Sequence, residues 1–401
     1  MKRWKKILLV LLLIVVLSQA PAVYHLYCTF WQSSMIAAAE TREERKTKTG
    51  FGFDDYAGVI HVHSEIGGHS YGRADDLKSA AALNELAFVV MTEHISGDRD
   101  TFGKSIEGLH EGVLFIGGHE VGIREENRFL VVEGFPELTA STGLSLKEFL
   151  ERVKTPDRLA LVTHPERGVQ PNNADGIEIF SLHNKANEMN KLAFAADALW
   201  SFPSYPELTF ARHFTRPDEN LKLFDRISSE RRFSLFAGND AHSNVGFQIG
   251  GTANDPYFEL ILDRYQMMFR IVRTHILLEK GTALTKEAVI EAIRSGNCFV
   301  GLDVLGNTAG FALEAFAEDS RAFMGEEVTF AKGMRLRSVA PQTARFLVFR
   351  NGSKFHESEM TNRIELDLRS PGVYRVEVYR DDLGSPFESV PWIISNPVYV
   401  K

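Results

Sequence analysis

The run Val59-Ile60-His61-Val62-His63 decides how the chain is read. It is short, apolar and β-branched, which marks a buried strand. Its end carries two histidines two positions apart. On a regular strand such residues point to the same side, so the spacing aims two imidazoles at one point. Similar runs follow at Phe88 to Thr92, Val113 to Gly117, Phe129 to Glu133, Leu159 to Thr163, Ile177 to Phe180 and Phe233 to Ala237. Amphipathic stretches lie between them, at Ala74 to Ala87, Ser145 to Lys154 and Pro217 to Arg231. Leu146, Phe149, Leu150 and Val153 have the spacing of one helix face. Strand-helix alternation predicts parallel strands. Seven such units within about 240 residues predict a closed or distorted β/α barrel.

Chemistry-bearing residues follow these runs. His61, His63 and His69 come after the first, Glu93-His94 after the second, and His119-Glu120 after the third. His164-Pro165 follows the fifth and Asp240-Ala241-His242-Ser243 the seventh. Functional groups of parallel β/α folds gather at the carboxyl ends of the strands. Imidazole and carboxylate are ligand types for Zn, Mn or Fe. Asp240-x-His242 repeats the two-residue spacing. His119 points away from Glu120 on a regular strand and stays outside the ligand set. His25, His110, His213, His275 and His356 lack this context and read as surface or satisfied core histidines.

The ordered motifs HVHSE (61–65), GHSYG (68–72), TEH (92–94), GHEV (118–121), THP (163–165) and GNDAHS (238–243) carry a resemblance. Over residues 57–300 the chain resembles the PHP (polymerase and histidinol phosphatase) superfamily of metal-dependent hydrolases. The resemblance implies a distorted seven-stranded β/α barrel with two or three divalent metal ions (Zn, Mn or Fe) at its mouth. It implies that His61, His63, Glu120 and Asp240 hold the first metal. Glu120 would bridge to a second, with His164, and His69, His94 and His242 resemble the third-metal set. The chain departs from the family in two places. Glu93 stands where the family usually has Asp. No histidine lies between Val121 and Thr163, where Asn127-Arg128-Phe129 occupies the corresponding segment. The second site would then be weaker, or completed by water, Asn127 or substrate.

Residues Glu287 to Val300 read as a last helix and strand of this region. After them, runs at 310–319, 345–355, 372–382 and 391–400 alternate apolar and polar residues, and Asn351-Gly352 signals a hairpin. The expectation is a small all-β sandwich over 304–401, after a barrel over 51–303. That arrangement is similar to the exported PHP proteins grouped with carbaryl hydrolases.

The chain has 401 residues, 44% of them hydrophobic, and a net charge of −8, so a sizeable core is available. Its acidic balance speaks against nucleic acid as a partner. Cys28 and Cys298 cannot make a disulfide framework, and Cys298 reads as a buried hydrophobe. Lys2, Arg3, Lys5 and Lys6 precede the apolar block Ile7 to Leu17. That pattern is an export or anchoring signal, with the basic end cytoplasmic and the body exported. Ser18-Gln19-Ala20 resembles a cleavage site, but Pro21 follows it, so an uncleaved anchor is the favoured reading over a cleaved secreted form. Bulky Tyr27 before Cys28 does not suit lipoprotein processing. Residues 40–48 read as a charged, solvated stalk, completing an N-terminal segment 1–50.

The implied chemistry is hydrolysis of a phosphoester. Two metals about 3.5–4 Å apart would share a hydroxide for in-line attack. Asp240 or His242 would move the proton. Arg167, near the mouth, would bind or polarise the anion, with Arg73, Arg212 and Arg216 as weaker candidates. His183, with Asn184, would line the substrate pocket. The irregular stretch Leu199 to Asp218, with Phe202, Tyr205 and Phe210, reads as a lid. The expected substrate is a small-molecule or glycan-linked phosphoester. Two other readings stay open: a hydrolase of a carboxyl ester, amide or carbamate, and a non-catalytic surface binding protein stabilised by metal.

Overall fold

The computed structural model describes residues 3–43, 51–68, 70–95, 101–124, 128–141, 143–168, 171, 173–249 and 258–401. Two helices open the chain, α1 (Arg3–Ser18) and α2 (Ala20–Glu43). The body then runs β1 (Phe53–Val62), α3 (Ala74–Leu83), β2 (Phe88–Met91), β3 (Glu93–His94), β4 (Gly108–His110), β5 (Val113–Ile116), β6 (Gly118–Gly122) and β7 (Arg128–Val132). It continues with α4 (Leu146–Val153), β8 (Leu159–Thr163), β9 (Gly176–Ser181), α5 (Leu182–Glu188), α6 (Lys191–Ser201), α7 (Pro206–Ala211), α8 (Asp218–Ser228) and β10 (Ser234–Ala241). Then come β11 (Gly246–Ile249), β12 (Phe258–Ile261), α9 (Tyr265–Met268), β13 (Arg273–Glu279), α10 (Lys286–Ser295) and β14 (Cys298–Gly301). The remainder is strands.

The expected seven-stranded β/α barrel followed by a separate sandwich is not the architecture. Among the described residues, 21 strands join into one mixed sheet, accompanied by ten helices. Two physical reasons account for the difference. First, the strands are not uniformly parallel. β1 pairs in parallel with β2 and β10, but β13 joins it antiparallel, and β7 runs antiparallel between β6 and β8. β5, β6 and β7 follow one another without an intervening α-helix, so strand-helix alternation breaks there. Second, β14 pairs antiparallel with Ile393–Ser395, which itself pairs with Gly372–Tyr379. The hydrogen bonding therefore continues from the first region into the last.

Most site-bearing strands are buried on both faces, as strands covered on two sides must be. Ile60, Val90, Leu130 and Phe236 pack in one apolar cluster, while Val59, Val89, Val131 and Leu235 pack in another. The predicted helix face of α4 is buried at Leu146, Phe149, Leu150 and Val153, and Ser145 with Glu148 forms its capping box. Asn351 and Gly352 both have positive φ, the pair that a tight hairpin turn requires. The alternating strand Gly372–Tyr379 shows a different outcome. Its polar residues Arg375 and Glu377 are buried, not solvated. Asp225 of α8 accepts from Arg375 at 2.6 and 2.7 Å, and Arg216 donates to Glu377 at 2.8 Å.

α1 stands apart from this packing. Ile7 to Leu17 are 53–61% exposed, and the helical stretch Arg3–Ala39 is long and apolar enough to cross a membrane. α2 instead packs on α6 and α7. His25 Nδ1 lies 2.6 Å from Asp197 Oδ1, and Gln32 Nε2 donates to the carbonyls of Leu383 and Ser385 at 2.9 and 3.2 Å. The charged run from residue 40 begins as the last turn of α2, and residues 44–50 lie outside the described residues.

Candidate metal centre

The carboxyl ends of β1, β3, β6, β8, β9 and β10 deliver the chemistry to one place. His61 Nε2 lies 3.5 Å from Glu120 Oε2 and 3.4 Å from Asp240 Oδ1. His63 Nε2 lies 3.5 and 3.3 Å from the same two oxygens. His164 Nε2 is 3.7 Å from Glu120 Oε1 and 3.6 Å from Asp240 Oδ2. His94 Nδ1 is 3.4 Å from Glu120 Oε2, and His242 Nδ1 is 3.3 Å from Asp240 Oδ1. Among the described residues, four overlapping groups of three are close enough to hold an ion. They are His61/His63/Asp240, His61/Glu120/His164, His63/His94/His242 and His183/Asp240/His242.

These separations are too long for good hydrogen bonds. They fit a shared cation: two ligands at about 2.1 Å in tetrahedral geometry stand about 3.4 Å apart. His61 Nε2, both ring nitrogens of His63 and Asp240 Oδ1 are buried with no hydrogen-bond partner. Buried polar atoms are rarely left so. Three of them, His61 Nε2, His63 Nε2 and Asp240 Oδ1, face one another across a space that a cation would fit, so the residues present can hold a metal.

The electrostatics agree. Burial opposes the charge on Asp240, but His61, His63 and His242 outweigh it and hold the carboxyl well below its usual range. Glu120 is likewise held low, by His61, His63 and His94 against burial. Burial also opposes charging of His61, yet Asp240, Glu178 and Glu120 raise it well above the usual value. His63, by contrast, is pushed down to about 3, chiefly by burial. The pocket pulls positive charge to the point where Glu120 and Asp240 face the imidazoles.

The convergence does not come from regular strand geometry. β1 has an irregular register between Ile60 and Val62 against both β10 and β2, and His61 sits there at φ 68°. His164 and Asp240 also have left-handed backbones, at φ 50° and 46°. Non-glycine residues seldom adopt this region, and such strain clusters at functional sites. A bulge re-aims a side chain, and here it brings the ring centroids of His61 and His63 within 5.1 Å.

A second layer holds the ligands, and sequence reasoning missed most of it. Glu178 Oε1 lies 3.0 Å from His61 Nδ1, and its other oxygen accepts from Thr163 Oγ1 and from the His164 N–H. Such partners fix the ring orientation of ligating histidines. Gly238 leaves the space: a Cβ there would meet Glu178 Oε1 at 1.5 Å. The signal was a lone acid inside the apolar strand Ile177-Glu178-Ile179. Arg128 Nη1 donates to Glu120 Oε1 at 2.9 Å. Tyr265 donates to the His63 carbonyl and lies 3.0 Å from Ser70 Oγ, which donates to the His242 carbonyl.

Other expected residues fall as follows. His69 and Asn127 lie outside the described residues. Glu93 is buried but turned towards the 64–67 turn, accepting from Ser64 Oγ at 2.5 Å and from the Gly67 N–H at 3.1 Å. Burial pushes its carboxyl up to about 7. His119 points away from the cluster and stacks on Phe102. His183 is exposed, with its ring 6.1 Å from that of His242. Asn184 Oδ1 faces His164 Nδ1 at 3.3 Å. Arg167 is exposed on the turn Pro165–Arg167. Arg73 is exposed before α3. Arg212 reaches Gln32 of α2, and Arg216 pairs with Glu377. The expected irregular lid holds the end of α6 and the short α7, with turns between and after them. Cys298 is buried, and burial pushes its thiol up to about 12.

No family model matches the chain, and no curated protein does. The family resemblance therefore stands on its motifs alone. Among solved structures, PsfC from Pseudomonas syringae PB-5123 is similar at 13% identity, over 59% of this chain and 88% of its own, with a TM-score of 0.37. A likeness of that degree assigns neither fold nor activity.

Proposed function

We propose that this chain is a metal-dependent hydrolase that cleaves a phosphoester, anchored by α1 with its body on the exported side of a membrane. The observation that carries the proposal is the set of partnerless, buried atoms of His61, His63 and Asp240 aimed at one point. The motif resemblance to the PHP superfamily supports it, and Lys2, Arg3, Lys5 and Lys6 support the orientation.

His61, His63, Glu120, His164 and Asp240 would hold the divalent ions, with His94, His183 and His242 on the open side. Zn, Mn and Fe all suit such a donor set. When bound, the metal supplies a water acidified towards neutrality and polarisation of the scissile group's oxygen. The chain's own groups do the rest. Glu178 fixes the His61 ring. Arg128 holds Glu120 in place and presents its outer edge to an anion. Asp240 accepts a proton at a carboxylate oxygen. His242, at the mouth, delivers one to the leaving oxygen. Arg167 lies further out and serves as an outer anion contact.

A second reading, hydrolysis of a carboxyl ester, amide or carbamate, is favoured by one observation. The cavity beside Asp240 and His242 is walled mainly by apolar residues such as Leu182, Ala186, Met189, Phe194 and Phe210, with Lys191 the one lysine or arginine in its lining. Full-length protein in detergent separates the readings. Metal content is measured first, and phosphomonoesters, phosphodiesters, carboxyl esters and carbamates are then screened. Phosphate release that disappears in Asp240→Asn and His61→Ala is the expected result. Turnover of esters or carbamates alone selects the second reading. Stoichiometric metal with no turnover of any substrate would leave a metal-stabilised binding protein.

A further inference from the structure

The cavity next to the metal centre names a substrate class. It has a volume of ≈ 200 Å³ and is lined by Asp240, His183 and His242, with Lys191, Asn244 and Asp263 as its other polar residues and an apolar wall otherwise. Whole-ligand pockets usually run from about 300 to 1,000 Å³. This one is therefore sized for part of a ligand. The ligand's reacting end sits at the histidines and an apolar portion fills the rest. Phe194 of α6, Phe202 just after it and Phe210 of α7 form one wall.

That wall is also what the N-terminal helix packs on. α2 lies against α6 and α7, tied by His25–Asp197 and by Trp200 Nε1 donating to Gln19 at 3.1 Å. The stretch from Ile7 to Tyr24 is apolar apart from Ser18 and Gln19 and extends about 27 Å as helix. Tyr24, Tyr27 and Trp31 then lie exposed on α2, with Leu199 and Trp200 exposed on α6. Aromatic side chains at the end of an apolar helix mark the membrane-water interface. An N-terminal helix anchored in this way would hold the helices that wall the cavity at the lipid surface.

We propose that this cavity is an apolar-chain subsite and that the substrate is an amphiphile taken from the bilayer. Its polar group lies at His183, Asp240 and His242, and the first segment of its hydrocarbon chain lies among Ala186, Met189, Phe194 and Phe210. This rests on the hydrolase reading for what happens at the polar group, but the subsite itself is read by binding alone.

The test uses full-length, metal-loaded protein in detergent and ligands that cannot be hydrolysed. Methyl-, butyl-, hexyl- and dodecylphosphonate are titrated calorimetrically, with the matching alkyl carboxylates as a parallel series. Affinity should rise roughly 1,000-fold from methyl to hexyl and then level off as the cavity fills. In Ala186→Trp the hexyl-to-methyl ratio should collapse towards one. Phe202→Ala, which widens the rim, should move the plateau to a longer chain and decides the matter should the first variant not fold. Vesicles of phosphatidylcholine with dioleoyl phosphatidic acid should displace hexylphosphonate, and phosphatidylcholine alone should not. Affinities independent of chain length in both series, or a ratio unchanged in both variants, overturn the subsite. Chain-length dependence without vesicle displacement overturns the bilayer source. Chain-length-dependent binding by a protein that hydrolyses nothing overturns the hydrolase reading and leaves the subsite standing.

Discussion

His61 and His275 are both fully buried imidazoles set among carboxylates, three around His61 and two around His275, and both lie on or beside β1. Their surroundings differ in kind. His275 Nδ1 meets Asp55 Oδ1 at 2.7 Å, and Nε2 meets Thr308 Oγ1 at 3.0 Å and Asp303 Oδ2 at 3.3 Å. The outer carboxylate oxygens are filled too. Asp55 Oδ2 accepts from the Gly310 N–H, and Asp303 Oδ1 from Thr308 Oγ1. His275 lies in the regular antiparallel register of β13, opposite Ala57 of β1. His61 has one filled nitrogen and one empty one, on a left-handed backbone. Histidine and aspartate together do not make a metal centre. A closed cluster spends its hydrogen-bonding capacity on the fold, whereas an open one keeps atoms in reserve for a ligand.

The largest expected effect breaks the comparison at its open end. Asp240→Asn removes the carboxylate charge shared by four of the imidazoles, those of His61, His63, His164 and His242, and bound metal should fall below stoichiometric after dialysis, as measured by elemental analysis. His275→Ala should leave metal content unchanged. It removes the imidazole between Asp55 and Asp303, leaving Asp303 with Arg273 and Thr308 but Asp55 without a charged partner, and should cost about 3–5 kcal/mol in denaturant unfolding. Metal loss in His275→Ala with little destabilisation would reverse the assignment of the two clusters.

Glu178 sharpens the contrast between a ligand and its support. It accepts from the back of His61 and the start of the His164 turn without facing the ion position. Glu178→Gln should keep the fold and the metal, with affinity lowered about 10- to 100-fold in competition with a chelator. No change in affinity would show that the Gly238 space and the Thr163 contact alone hold His61.

Much of the site was legible because strand ends announce it. His61, His63, His94, Glu120, His164, Asp240 and His242 could be singled out by their positions after apolar runs. His119 could be set aside by strand parity alone. Parity failed at His61 and Asp240, where the backbone turns left-handed to complete the convergence. No local signal marks that turn, since it is imposed by pairing with strands far away in sequence. Glu178 was hidden because a single acid in an apolar run reads as noise until its partners across the sheet are known. His183 was read as a substrate contact, yet it also falls in a group able to hold an ion. The fold was less legible for a related reason. Apolar runs mark strands but not their direction, so the antiparallel β7 passed as a unit of a parallel barrel, and β13 was not singled out at all. The join from β14 to Ile393–Ser395 spans far more sequence than any pattern in it. Arg375 and Glu377 followed the polar face of a strand faithfully; Asp225 and Arg216, which cover them, come from elsewhere in the chain.

The smallest effect tests the closed cluster by pH. Burial opposes the charge on His275, but Asp55 and Asp303 outweigh it and raise the imidazole to about 10. In the unfolded chain it titrates near about 6.5. A group raised on folding stabilises fully below the unfolded value and loses that contribution as pH rises through the folded one. The window is therefore pH 6.5 to about 10. Between pH 6.5 and 8 the stability advantage of wild type over His275→Gln should shrink by about 1.5–2 kcal/mol. The measurement is made on metal-free protein in chelator, where the histidines of the open cluster titrate alike in both proteins and cancel. A constant difference across that window would mean that His275 is neutral in the fold. Thr308 and the two carboxylates would then hold it by neutral hydrogen bonds, and the closed cluster would differ from the open one in geometry but not in charge.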